Sequence, residues 1–456
     1  MQRIHLIGIG GTGISAIARL LLEMGYQVSG SDRAESPFTR ALAQAGATIF
    51  LGHRPENVLG ADLVVRSSAV LDDNPEVLAA HIQGIPVLKR ADFLGHLMEG
   101  KTGLAVAGTH GKTTTTAMLA WTLMQLGEDP TFIVGSTIHG LGVNAHAGGG
   151  RCFVIEADEY DRMFLGLKPV FAIVTSVEHD HPDCYPTPQD FYAAFVEFVH
   201  LLPPEGVLIA CADEPGARRL SEEFRQGDRR SLTYSLTDCK ADAWADRVIP
   251  NERGGFDFTA HLRQAAVLVS LQVPGLHNVS NALAALTALS LLGVDLNAAA
   301  QALGKFEGTG RRFEVRGEAS GVTIIDDYAH HPTEIRTTLA AARARYPHRR
   351  IWAVWQPHTY SRTQTLLDDF RSAFPDADCV VVTEVYAARE PKQDFSARQI
   401  VEGMSHPAAY FGGNLEETRD FLLSRLQPGD VLLVLSAGDA DWISAQTLAF
   451  LKEREK

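Results

Sequence analysis

The sequence predicts an α/β protein built from three consecutive domains. Short apolar runs alternate with longer helical runs along nearly the whole chain, the pattern of parallel sheets with helices on their faces. At 456 residues the chain is long enough for two to four domains, each with its own core. The chemistry-bearing motifs fall into three blocks, which divide the chain into 1–97, 98–308 and 309–456.

Composition sets bounds on function. Hydrophobic residues at 45% and charged residues at 21% are ordinary for a soluble globular protein. A net charge of -14 gives no general attraction to nucleic acid, so an anionic substrate must meet local basic groups. The cysteines Cys152, Cys184, Cys211, Cys239 and Cys379 show no CxxC or zinc-type spacing, and inert thiols in a reducing cytoplasm are expected. A strand starting at residue 4 leaves no room for a signal peptide. The long apolar stretch 282–303 is broken by Thr287, Ser290, Gly293, Asp295 and Asn297, and reads as one or two core helices instead of a membrane span. A cytoplasmic protein is expected, either monomer or homodimer.

In the first block, strands are expected at 4–9, 27–31, 63–67 and 87–88, with a helix over 14–24. Gly8-Ile9-Gly10-Gly11-Thr12-Gly13 fits G-x-G-x-x-G after a strand, and Asp32 closes the next strand. Alone, this pattern indicates a dinucleotide-binding Rossmann unit and a nicotinamide-dependent dehydrogenase. Tight glycines and a helix N-terminus nevertheless serve any pyrophosphate, including that of a nucleotide-linked sugar. Gly10, Gly11 and Gly13 are therefore expected diphosphate contacts, with Asp32 and Ser67 beside them on the substrate side. The plainer alternative is a tight strand–helix turn that binds nothing.

The second block opens on the most informative stretch. The apolar run 104–107 breaks at Gly108, turns through Thr109-His110-Gly111, and enters a helix expected over 113–126. Backbone N–H groups in such a turn converge on an anion at the positive end of the helix. Lys112 can then neutralise β/γ-phosphate charge, while a Thr113 or Thr114 hydroxyl can ligate Mg²⁺. Val106 stands where the full nucleoside-triphosphatase signature has its first glycine, so this loop is a shortened variant. Glu156-Ala157-Asp158-Glu159 follows the strand-like run 152–155 at the end where open sheets hold ligands. Glu156 is the expected Mg²⁺ carboxylate, whereas Asp158 and Glu159 could simply be solvated. After the run 171–174, Asp180-His181 offers a second metal-facing group, although imidazole is an uncommon ligand for so hard an ion. Residues 233–252 read as polar and irregular. His277-Asn278 and Asn281 then lead into a helix. An amide there can offer a donor and an acceptor to a nucleobase, or Asn278 can simply cap the helix.

The third block carries strands at 322–326, 351–355, 379–383 and 431–435, with helices at 335–346 and 366–373. Arg311-Arg312 precedes Asp326-Asp327-Tyr328-Ala329-His330-His331-Pro332-Thr333. A basic pair, an acidic pair and two histidines at element ends fit a lid over a charged substrate.

Taken together, residues 108–116, 156–161, 180–181, 277–281, 311–314 and 326–333 resemble the Mur ligases of peptidoglycan synthesis in nearly the whole chain and in the expected order. The resemblance implies a Rossmann-like UDP-substrate domain, a central P-loop ATPase domain and a C-terminal Rossmann-like α/β domain that brings the amino acid. It implies the substrates ATP, UDP-N-acetylmuramate and L-alanine, with Mg²⁺. Lys112 matches the family's phosphate lysine, and Thr113, Glu156 and His181 match its metal ligands. His277, Asn278 and Asn281 fall on the adenine motif, Arg312 beside the phosphates and Asp327 beside the ribose. His330 and Arg362 fall in segments shaping the amino-acid and carboxylate end, with His330 the candidate base. Ser176, Tyr160 and Ser436 depart from the commoner family residues without removing a phosphate or metal group. The rival within the family is a sibling ligase that adds a recycled tripeptide to UDP-N-acetylmuramate. A dehydrogenase would leave Lys112 and Glu156 without a task.

Overall fold

The computed structural model describes residues 2–263 and 265–455. Three sheets divide the chain. The first contains β1 (Arg3–Ile7), β2 (Gln27–Asp32), β3 (Thr48–Leu51), β4 (Leu63–Arg66) and β5 (Val87–Lys89). They are parallel in the order β3-β2-β1-β4-β5, with Ile4 lying between Val28 and Leu63.

The second sheet has ten strands: β6 (Thr102–Ala107), β7 (Thr131–Ile138), β8 (Val143–His146), β9 (Cys152–Glu156), β10 (Phe171–Val174), β11 (Val207–Cys211), β12 (Ser231–Ser235), β13 (Ala243–Pro250), β14 (Phe256–Leu262) and β15 (Ala265–Ser270). Their order is β15-β14-β13-β12-β11-β10-β6-β9-β7-β8, parallel from β13 to β7 and antiparallel beyond. β6, β10 and β11 are buried apolar runs covered on both faces, which is why they read clearly in sequence. The third sheet contains β16 (Glu314–Ala319), β17 (Val322–Asp327), β18 (Ile351–Trp355), β19 (Cys379–Thr383), β20 (Ala409–Gly413) and β21 (Val431–Leu435). It runs β16-β17-β21-β18-β19-β20, with only β16 antiparallel among these strands.

Several elements differ from expectation. The supposedly irregular 233–252 supplies the end of β12 and all of β13, which hydrogen-bonds to β14. Its register slips between Asp246 and Ile249, and Ile249 is exposed, so the alternation that marks a half-buried strand is too short to see. The stretch 282–303, by contrast, forms two helices as expected, Leu276–Leu292 and Leu296–Leu303. Gly293 ends the first in a left-handed conformation, and the Asp295 carboxylate caps the second by accepting from Asn297 and Ala298 N–H groups. The helix expected over 366–373 is shorter, Leu367–Arg371, and an unexpected short helix, Tyr360–Thr365, precedes it.

One continuous apolar core joins the first two sheets, from Leu6 and Leu20 to Leu104, Phe153 and Phe306. The helix Arg90–Leu97 lies so close to the following domain that a Cβ on Gly95 would collide with the Gly166 carbonyl oxygen. The third sheet instead has its own cores, one around Trp355 and Phe370 and one around Trp352 and Ile443. Among the described residues, no helix is long and apolar enough to cross a membrane.

Candidate active site

The site lies at the carboxyl ends of β6, β9 and β10, where an open parallel sheet gathers its ligands. β6 runs into Gly108–Gly111 and then the helix Lys112–Gln125. Gly111 has φ +80°, and a Cβ there would lie 2.6 Å from Asn281 Oδ1, so a side chain is excluded twice over. The segment after β10 holds the loop in place. His110 N–H donates to Ser176 Oγ (2.9 Å), Thr109 N–H to the Ser176 carbonyl (3.1 Å) and the Thr109 hydroxyl to the Glu178 carbonyl (2.7 Å). Ser176 thus supports the loop directly.

Lys112, Thr113 and Glu156 come together as the sequence requires. Lys112 Nζ donates to the Gly108 carbonyl (2.5 Å) and to Glu159 Oε1 (2.8 Å). Burial works against its charge, but Glu159 outweighs that and raises the ammonium pKa. The Thr113 hydroxyl donates to Glu156 Oε1 (2.9 Å), and Gly135 N–H to Oε2 (2.7 Å). Glu159 corrects the sequence reading. Its side chain is 1% exposed instead of solvated, and Oε2 has no hydrogen-bond partner. His181, held at φ +54°, reaches Glu159 Oε1 at 3.7 Å through Nε2.

A crevice of about 570 Å³ runs from this loop to the helix Leu276–Leu292 and is lined by Thr114, His277, Asn278, Asn281, Arg312 and Asp327. Asn278 is not the helix cap, a position taken by Gly275 at φ +93°; its amide donates to the Pro274 carbonyl (2.7 Å) and its Oδ1 accepts from Asn281 (3.1 Å). Burial, then Arg312, lowers the His277 pKa to about 4, so its imidazole is neutral. Both Asp327 oxygens accept backbone N–H bonds, from Phe313 (2.8 Å) and Ala329 (2.7 Å), and burial raises its pKa to about 6.

A second crevice, about 490 Å³, leads from the same place to the glycine loop of the first domain, lined by Gly13, Arg90, Ser136, Glu156 and Arg311. Thr113 and Arg312 line both crevices. The Asp32 carboxylate accepts from Gly10 N–H (2.8 Å) and Arg33 N–H (2.7 Å), bracing the glycine loop. A Cβ on Gly13 would collide with the Arg90 guanidinium, which reaches Asp158 at 3.4 Å. Ser67 packs against Gly8 at the end of β4. Gly11 precedes the helix Thr12–Glu23 and has no side chain to cap it.

At the far end, Arg362 grips Asp180 through Nε–Oδ1 (2.7 Å) and Nη2–Oδ2 (3.2 Å), both side chains almost wholly buried. Nη1 meets His358 Nδ1 at 3.0 Å. Most of the Arg362 fork is therefore engaged, leaving little of it to meet a substrate carboxylate. Burial opposes the Asp180 charge, yet Arg362 and His181 hold its carboxyl well below the usual range. His330 Nδ1 lies 2.9 Å from the Tyr328 carbonyl, and burial lowers its pKa to about 4.

Three carboxylates were invisible as site residues in the sequence: Glu159, Glu178 and Glu334. Glu178 Oε2 lies 2.8 Å from His110 Nε2, and Glu334 Oε1 lies 3.3 Å from His110 Nδ1. His110, Glu178 and His331 place one ligand atom each within 4.8 Å of one another, the spacing of a metal set. His331 Nδ1, however, accepts the Thr333 N–H as a helix cap (3.3 Å), and both His110 nitrogens face carboxylates. A proton on His110 satisfies that arrangement.

Three family models cover almost the whole chain: Mur ligase family, catalytic domain, over residues 3–102; Mur ligase middle domain, over 106–289; and Mur ligase, glutamate ligase domain, over 311–438. The chain belongs to the Mur ligase family. A UDP-N-acetylmuramate--L-alanine ligase of Chloroflexus aggregans is 44% identical across 99% of both chains. The crystal structure of a UDP-N-acetylmuramate-alanine ligase from Thermotoga maritima superposes with a TM-score of 0.82 at 29% identity, covering all of both chains. A murein peptide ligase from Psychrobacter arcticus gives 0.73 at 27%, covering 99% of each chain. The three α/β domains are those of this family of ligases.

Proposed function

We infer that the chain is an ATP-dependent carboxylate–amine ligase that joins L-alanine to UDP-N-acetylmuramate in peptidoglycan precursor synthesis, acting in the cytoplasm. The observation that carries this reading is the meeting of two crevices at Thr113 and Arg312. One suits a nucleoside triphosphate, with its base toward His277, Asn278 and Asn281. The other suits a nucleotide-linked sugar, with its diphosphate on Gly10, Gly11 and Gly13 and its carboxylate brought to the γ-phosphate.

The carboxylate oxygen attacks the γ-phosphorus, the bond to the β-phosphate oxygen breaks, and acyl phosphate and ADP form. The L-alanine amine then attacks the acyl carbon, and phosphate leaves from the tetrahedral intermediate. Like charges must converge in the first step, so Lys112 and Arg312 neutralise the phosphates. Glu156 and the Thr113 hydroxyl are hard oxygen donors on one spot, with the unpartnered Glu159 Oε2 nearby. This set fits Mg²⁺, with His181 at its margin, and a bound ion would draw charge from the phosphate oxygens. His330, neutral with Nδ1 toward the Tyr328 carbonyl, offers Nε2 as acceptor for an ammonium proton. Its weak basicity makes it a positioning acceptor more than a strong base. Asp327 faces the ribose, and Arg362 shapes the amino-acid end through Asp180.

Phosphate release from Mg²⁺-ATP tests this reading. Release requiring both UDP-N-acetylmuramate and L-alanine, with a UDP-muramoyl-alanine mass in the products, is expected. Release switched on by a tripeptide and not by L-alanine would overturn the alanine assignment in favour of the sibling ligase.

A further inference from the structure

Glu334 sits at the third position of the helix Pro332–Arg345 and is nearly buried. In sequence it is the reciprocal half of a helix cap, accepting from the His330 and His331 N–H groups (3.0 and 3.3 Å). Capping uses one oxygen, Oε2. The other, Oε1, lies 3.3 Å from His110 Nδ1 in the phosphate loop of the second domain and 3.8 Å from Arg312 Nη1 in its own. Oε2 also lies 3.3 Å from His330 Nδ1. One carboxylate therefore touches the phosphate loop, the phosphate-side arginine and the amino-acid-side histidine.

We propose that Glu334 is a positioning residue for the ligation, fixing the amino-acid end of the third domain against the phosphate loop through a protonated His110. The proposal rests on the ligase reading for its kinetic part only. The groups facing His110 are Glu178 from the segment after β10 and Glu334 and His331 from the third domain, whose ring lies 4.9 Å away. Arg312 lies behind Glu334. Glu178 completes the clamp, its Oε1 accepting from the Thr333 hydroxyl (2.8 Å), so both carboxylates span the two domains. Burial opposes a charge on His110, yet Glu178 and Glu334 raise its pKa to about 9. An imidazolium between two carboxylates holds the domains together by a charge-assisted hydrogen bond to Glu178 and an ion pair with Glu334.

Glu334→Gln separates the roles, because glutamine keeps an acceptor for the cap but loses the charge. The His110 ring proton is followed by NMR titration in the full chain, and ligation is measured across pH. The expected result is a His110 titration lowered by about one unit or more. With it, kcat/KM for L-alanine falls about tenfold or more while KM for ATP moves less than about threefold. The alkaline limb of the alanine-dependent rate should shift to lower pH. Glu178→Gln should lower the same titration, which keeps the test open should Glu334→Gln fold poorly. A His110 titration unmoved in both variants overturns the proposal, and so does a shifted titration with unchanged ligation. The titration needs no turnover, so a wild-type chain that does not ligate L-alanine overturns the proposed function and leaves the His110 assignment standing.

Discussion

Lys112 has its charge matched by Glu159 and its ammonium anchored on the loop's own carbonyls, which suits the phosphate role proposed for it. Lys112→Ala should lower ADP formation by at least about 10²–10³-fold, as removal of a single transition-state donor does elsewhere. A steady-state assay of ADP reads this directly, and near-normal turnover would contradict the role. The residues that sequence makes legible are those whose type is dictated by the backbone or by a unique charge, such as Gly111, Lys112 and Asn281. Carboxylates are harder. Glu159 could pass for solvated surface in sequence and Glu334 for a cap alone, because nothing local shows that a distant Lys112 or His110 will fold onto them. His181 was legible as a polar group, whereas its neighbour Asp180 shows its role only through Arg362, 182 residues away.

Among the elements, β17 carries a liability. Asp326 is buried, neither carboxylate oxygen has a hydrogen-bond partner, and burial raises its pKa from 3.8 to about 7. The folded state therefore holds this proton more tightly than the unfolded chain. Its contribution to stability is full below about pH 4 and is lost as pH rises through about 7. Asp326→Asn should raise thermal stability at pH 8, by about 1–3 kcal/mol, and leave it nearly unchanged at pH 4. Parallel melts at the two pH values give the answer. The loop before the helix Lys112–Gln125 makes a second demand. Gly111→Ala must adopt a left-handed conformation costing about 1–2 kcal/mol and must also displace Asn281. Its KM for ATP should rise while the melting temperature falls only slightly. Strands buried on both faces were legible because an unbroken apolar run has few other uses. β13, β16 and β20 were not, since edge position and interrupted register dilute the signal.

At the scale of the molecule, the first two domains meet through a shared apolar core and the third docks through charge. Asp180→Asn should weaken that docking severely, because Arg362 would stay buried without its partner, a loss of about 3–5 kcal/mol in other proteins. Small-angle scattering should report a more extended particle. The docking should also follow pH. His110, raised from 6.5 to about 9, contributes fully below 6.5 and loses its contribution as pH rises through about 9. Glu178, depressed from 4.5 to about 2, contributes fully above 4.5 and loses its contribution as pH falls through about 2. Closure should therefore be tightest between about 4.5 and 6.5 and loosen toward 9, a profile scattering can follow. The shared core has a consequence for ancestry. Recombination between relatives can exchange the third domain whole, because its cores close on themselves, whereas a foreign first domain would arrive with half of someone else's interior. A chimera carrying only a relative's third domain should fold and inherit that relative's choice of amino acid; one carrying only its first domain should not fold at all.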